Sequence, residues 1–133
     1  EVYRNSSVYG MLGYFKLLRN DDLDETTKLC EEAYDYNSDD RDIKDNLSIC
    51  YFRKGEYEKA EKISDELVVA APNFVEGFYH SIQIAMKLNK YDKAAEYAEK
   101  LKECKRSGMT TVTEEEVNKL IQEVKNHNEN TIG

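Results

Sequence analysis

Tryptophan is absent from the 133 residues, proline occurs once and histidine only twice. One proline and six glycines are too few to punctuate the many tight turns of an all-β chain. No apolar run approaches the roughly 18–20 residues that cross a bilayer, and no leader of the secretory kind opens the sequence. Direct membrane insertion is therefore not expected, with an anchor outside this stretch left open. The three cysteines, Cys30, Cys50 and Cys104, follow no metal or disulfide spacing. Each sits among helical positions that suit a small buried hydrophobe, so a reducing, cytoplasmic compartment is expected.

The signatures of chemistry are missing too. No phosphate-cradling glycine loop, no nucleophile elbow and no Cys–His–Asp set occurs. His80 and His127 have no partner at metal-ligand spacing. His80 reads as a surface histidine beside Glu76 and Gln83, the other reading being a pH-sensitive histidine. Asp35 to Asp40 begins like a calcium loop, but Asp40 stands where glycine is required and Asn46 where the bidentate Glu belongs. An acidic loop with Asp39 or Asp40 as a helix N-cap fits better. Asn46 also opens an N-x-Ser triplet, in mid-helix, which argues against a glycan. The expectation is a non-enzyme with no cofactor and no metal.

What is present is charge and helical periodicity. Charged residues make up 35% and the net charge is −8. That composition suits a helical protein of thin layers better than one thick core. The charge is uneven: ten acids and two bases fall between Asn20 and Asp42, and the remaining 17 acids and 17 bases cancel. Basic clusters interleaved with aromatics are absent, so no nucleic-acid binding is expected. The bland reading of the acidic stretch is a solvated face; the other is an edge that steers a basic partner.

The segment RKGEYEKAEK (53–62) returns as KLNKYDKAAE (87–96). Tyr57 recurs as Tyr91, Ala60 as Ala94 and Leu67 as Leu101, a fixed step of 34 residues that marks a repeat architecture. Each copy reads as two helices. Ile43, Leu47, Cys50 and Tyr51 make one apolar stripe; Tyr57, Ala60, Ile63, Ser64 and Leu67 make the next. Gly55 and Asn89 stand at the left-handed turns between the helices, and Pro72 ends the second copy. Phe74 to Leu88 and Tyr91 to Arg106 form the third copy, closed by Gly108. A weaker first copy spans about 5–38, ahead of copies at about 41–74 and 75–108. Thr113 and Glu116 form a capping box for a last helix over about 113–127, its stripe being Val117, Leu120, Ile121 and Val124, with fraying expected beyond His127. Helices of this length are marginal alone, and stacking buries their stripes. The expected fold is all-α: an α-solenoid of three helix pairs plus a C-terminal capping helix, in one domain over 1–133.

NLSICYFRKGEYEKAEKISDELVVAAPN (46–73) resembles a tetratricopeptide (TPR) repeat. Leu47 and Ser48 match its Leu–small pair, Tyr51 its aromatic, Gly55 and Tyr57 its turn, Ala60 its small crossing residue and Pro72 its terminal proline. The third copy keeps Phe78, Tyr91, Ala94, Ala98 and Leu101, with Ser81, Ile82 and Arg106 departing. The resemblance implies an interaction scaffold whose first helices line a concave groove for a peptide or helix. The implied groove residues are Asp42, Asp45, Asn46, Ile49 and Arg53 in the second copy, and Glu76, Tyr79, His80, Gln83 and Lys87 in the third. Tyr57 and Tyr91 are read as structural.

The chaperone-tail subgroup of the family grips an acidic C-terminus with lysines, an arginine and asparagines. Here Asn46 is kept, but Glu76 and His80 replace the third-copy Lys and Arg. Gly10 and Tyr14, or Met11 and Phe15, replace the first-copy pair. An Hsp70 or Hsp90 tail is therefore not expected. Asp42, Asp45 and Glu76 beside Tyr79 and His80 suit a protein segment with basic residues and an apolar anchor. A monomer is favoured. One alternative is a self-associating subunit that stacks through its end faces, where Val8, Met11, Leu12, Phe15, Leu17 and Leu18 crowd one helix. The other rests on residues 20–35 and 40–68, which are similar to the mitochondrial-fission TPR adaptor; its membrane anchor has no counterpart here.

Overall fold

The computed structural model describes Arg19, residues 22–108 and residues 110–132. Six helices lie in this part of the chain: α1 (Leu23–Tyr36), α2 (Arg41–Arg53), α3 (Tyr57–Ala70), α4 (Val75–Lys87), α5 (Tyr91–Glu103) and α6 (Glu114–Ile132). The described residues contain no strand. No described helix is long and apolar enough to cross a membrane. The first helix expected of copy one, with its crowded apolar residues and its two registers, lies outside the described residues.

Local chemistry sets the helix boundaries. Asp22 accepts the N–H groups of Asp24 and Glu25 at the start of α1. Asp40 does the same for Asp42 and Ile43 at the start of α2, so of the two caps expected in the acidic loop, Asp40 is the one used. Asn37 Oδ1 accepts the Asp39 N–H, a side-chain turn within the acidic loop. The helix-pair turns are left-handed at Gly55 (φ 79°) and Asn89 (φ 60°). In α6 the capping box closes as expected: Glu116 N–H donates to Thr113 Oγ1 at 3.0 Å, and Thr113 N–H to Glu116 Oε1 at 3.1 Å.

Two boundaries differ from the sequence reading. The helix expected to reach Arg106 stops at Glu103, and Cys104 is extended (φ −69°, ψ 134°). Arg106 is released from the helix and its guanidinium donates to the Val112 carbonyl in the loop that follows. The last helix does not end at His127 but runs to Ile132. The His127 ring stacks on Tyr91, with centroids 3.6 Å apart, which gives the far end of α6 a contact that periodicity could not show.

Each helix packs on its chain neighbour in an antiparallel stack, and the two layers then differ. The first helices of successive pairs approach each other directly, α2 with α4 and α4 with α6. The second helices α3 and α5 meet through side chains: Lys93 Nζ lies 2.9 Å from Glu61 Oε2 and 2.7 Å from Asp65 Oδ2. Closer inner helices and splayed outer ones curve the stack, with α2, α4 and α6 on the inner side. The crossing points are tight because Ala60 and Ala94 are fully buried and admit the facing helices. Gly77 serves similarly, since a Cβ there would meet Phe74 at 3.2 Å and Leu67 at 3.3 Å. One apolar core runs from Val68 and Val75 through Phe78 and Ile82 to Leu120 and Val124. A smaller cluster joins Cys30, Leu47, Cys50 and Ile63.

Candidate functional site

The ten residues assigned to the groove all lie on α2 and α4, the adjacent inner helices. The structure joins two of them outright. His80 Nδ1 and Asp45 Oδ1 are 2.7 Å apart, with side chains 21% and 11% exposed. This corrects the reading of His80 as a surface histidine. Its partner sits 35 residues away on the preceding helix pair, outside the i±4 neighbours a helical reading inspects. Burial works against the imidazolium, but the Asp45 charge and hydrogen bond outweigh it, Glu76 adding to them and Arg53 opposing. The His80 pKa ends above its ordinary value.

The other residues fall into distinct environments. Asn46 is buried, at 4% exposure. Ile49 is half-buried against the smaller core cluster. Asp42 is exposed and faces Arg41 at 3.7 Å; partial burial and the neighbouring acids outweigh that contact and raise its pKa. Tyr79 packs on the main core alongside Val117 and Ile121, and its ring lies edge-on to His80 at 5.7 Å. Burial first, then the charges of Glu116 and Glu123, raise the Tyr79 pKa. Glu76 is tied to the loop before α6: Thr111 donates to its carboxylate from the N–H at 3.4 Å and from the hydroxyl at 3.3 Å. Gln83 is half-buried, and Arg53 and Lys87 are exposed at the helix ends.

The inner face is thus a row of polar groups braced from behind. Asp45 and His80 brace each other, Thr111 holds Glu76, and Tyr79 is wedged against α6. Sequence reasoning missed Thr111 and Glu123, and read Glu116 only as a capping residue. Each belongs to the last helix or the loop before it, which had been read only as an end cap. The described residues contain no cluster of three metal-ligating side chains. Of the tyrosines read as structural, Tyr57 is edge-on to Phe52 at 5.4 Å, and the Tyr91 hydroxyl donates to Asn89.

Residues 17–77 match the tetratricopeptide repeat family, and the stacked, curved helix pairs are the architecture that family builds. That match covers 61 of the 133 residues, and the helical-repeat fold carries the likeness through the rest. None of the curated proteins matches its sequence. Among solved structures, the TPR domain of Sgt2 from Aspergillus fumigatus superposes with a TM-score of 0.80 at 17% identity, over 95% of this chain and 80% of that one. The first TPR of Spaghetti (RPAP3), bound to an HSP90 peptide, gives 0.77 at 14% identity over 94% of each chain. The Hsp90 co-chaperone Cns1 from Saccharomyces cerevisiae gives 0.73 at 12% identity, over 95% of this chain and 40% of that one. At such identities the likeness is one of fold.

Proposed function

We propose that this repeat protein is a non-enzymatic adaptor that holds a peptide or helical segment of another protein against α2 and α4. The observation that supports this reading is the Asp45–His80 contact between adjacent inner helices, which holds two of the assigned polar groups together. A ligand then meets groups already in position and loses less freedom on binding. The chemistry favours a segment with Lys or Arg near Asp42 and Glu76, and an apolar or aromatic anchor beside Tyr79 and Ile49.

The neighbour bound to an HSP90 peptide raises the question of an acidic tail here. Such a tail needs cations where this chain has Glu76 and His80. Glu76 is held in place by Thr111 and repels a carboxylate. We therefore assign the groove to a basic–apolar segment, recognised by a monomer in the cytoplasm.

Fluorescence polarisation with two peptide sets tests the assignment: basic peptides with a Leu or Phe anchor, and acidic peptides with a free carboxylate end. Basic–apolar peptides should bind wild type, weaken in salt, and weaken again on Glu76→Lys. Preference for the acidic set, or binding of the basic set that ignores Glu76→Lys and salt, would overturn it.

A further inference from the structure

The smaller core contains a feature that groove binding does not use. Cys30 on α1 and Cys50 on α2 face each other with sulfurs 3.8 Å apart. Both are sealed from water, at 3% and 0% exposure. Packing alone does not call for two thiols there. One repeat further along the stack, 34 residues on, Ser64 and Ile84 occupy the equivalent positions and are equally buried at 1% each. A further 34 residues on from Ser64, Ala98 fills the Cys30 position at 4%. The architecture asks for one small residue and one that fills space. This junction alone among the described ones answers with a sulfur pair.

We propose that Cys30 and Cys50 are a modification site: under a hydroperoxide they form an intramolecular disulfide that fastens α1 to α2. The sulfurs must close by roughly 1.8 Å to reach the ~2.05 Å of a disulfide. Cys50 is the attacking sulfur. The hydrogen bond with Cys30 favours its thiolate against burial, with Thr27 and Arg53 assisting, while the same bond and burial push the Cys30 thiol up.

The Cys50 sulfur attacks the O–O bond of hydrogen peroxide during a local opening of the helix pair. It takes one oxygen as a sulfenic acid, and the other leaves as hydroxide, becoming water with the thiol's proton. The Cys30 sulfur then attacks the sulfenic sulfur. The S–O bond breaks, and the oxygen departs as a second water carrying the Cys30 proton. Two thiols and one peroxide give one disulfide and two waters, with two electrons passing from sulfur to oxygen. Held 3.8 Å away, Cys30 has an advantage over any thiol in solution for this second step. Cys104 provides an internal contrast: it is half-exposed, and its sulfur faces the Pro72 and Lys100 carbonyls rather than a thiol.

The test uses wild type under native conditions with graded hydrogen peroxide, followed by alkylation in denaturant, intact mass and peptide mapping. The expected result is loss of two hydrogen atoms, a Cys30–Cys50 linked peptide, reversal by dithiothreitol, and a free Cys104. A Cys104→Ser variant, checked for unchanged helicity, should behave identically. If Cys30 and Cys50 stay alkylatable while Cys104 gains oxygen or dimerises, or if links to Cys104 dominate, the proposal is overturned. Either outcome is read on the wild-type chain, independently of any groove ligand.

Discussion

The second and third helix pairs share a frame and differ in filling. At the crossing points they are interchangeable: Ala60 and Ala94 are both fully buried, and Leu67 and Leu101 lie at 0% and 3% exposure. On the first helix of each pair they diverge. α2 buries Lys44, Asp45, Asn46 and Ser48, where α4, 34 residues on, carries Phe78, Tyr79, His80 and Ile82. Stacking therefore constrains one set of positions tightly and leaves another free to carry polar groups, provided those groups find partners. The divergence lies on the layer that forms the concave face.

Large-to-small changes at the shared frame test whether the two pairs contribute equally. Leu67→Ala and Leu101→Ala should each lose about 2–5 kcal/mol, measured by urea unfolding. Losses that differ by more than about twofold would break the equivalence.

The Asp45–His80 link comes next. Asp45→Ala removes a hydrogen bond to a charged group and should cost about 1.5–3 kcal/mol. The pH dependence follows from the sign of the His80 shift. Because the folded pKa lies above the ordinary 6.5, the pair's contribution is complete below about pH 6.5. It is lost as pH rises through the higher folded value. Unfolding curves for wild type and His80→Gln should converge across that rise; a constant gap would assign the pair no titration.

The two serines sharpen the contrast in sign. Ser48 donates to the Asp45 carbonyl at 2.8 Å, whereas the buried Ser81 hydroxyl has no partner among the described residues. Ser81→Ala should stabilise by about 1 kcal/mol and Ser48→Ala should not. Thermal melts of both variants decide this. The smallest effect is expected at the turns: Asn89→Gly should change stability by no more than a few tenths of a kcal/mol, while Gly55→Ala costs about 1 kcal/mol, because Gly55 sits at φ 79°.

The same contrast explains what could be read from sequence. The frame was legible because stacking imposes it at a fixed period: Gly55 and Asn89 at the turns, the small Ala60 and Ala94, the capping box at Thr113. The stop at Glu103 and the continuation to Ile132 were not, since each turns on a contact outside the helical period, Arg106 with Val112 in the following loop and His127 with Tyr91 on another helix. The residues assigned to the groove could be placed on helices from sequence, but their partnerships could not. Asp45 pairs with His80, and Glu76 with Thr111, across 35 residues in each case. Periodicity tells which face a side chain occupies and says nothing of which hydrogen bond it makes there. Cys30 and Cys50, 20 residues apart, show the same gap: their spacing looked patternless because they meet across a turn and two different helices.

The bridge from Lys93 to Glu61 and Asp65 gives the stack an uneven stiffness. On the inner side, α2 and α4 are in direct contact and resist compression. On the outer side, α3 and α5 are linked by side chains alone: Lys93 between Glu61 and Asp65, Lys90 on Glu61 and the Tyr97 hydroxyl on Asp65, a tether that resists only stretching. Bending that narrows the concave face pulls on this tether, and bending that widens it leaves the tether slack. Salt weakens the tether by screening. The exposed Lys90 arm is screened before the more sheltered Lys93 arm, so the outer seam yields to salt in steps, like a garment with two rows of stitching.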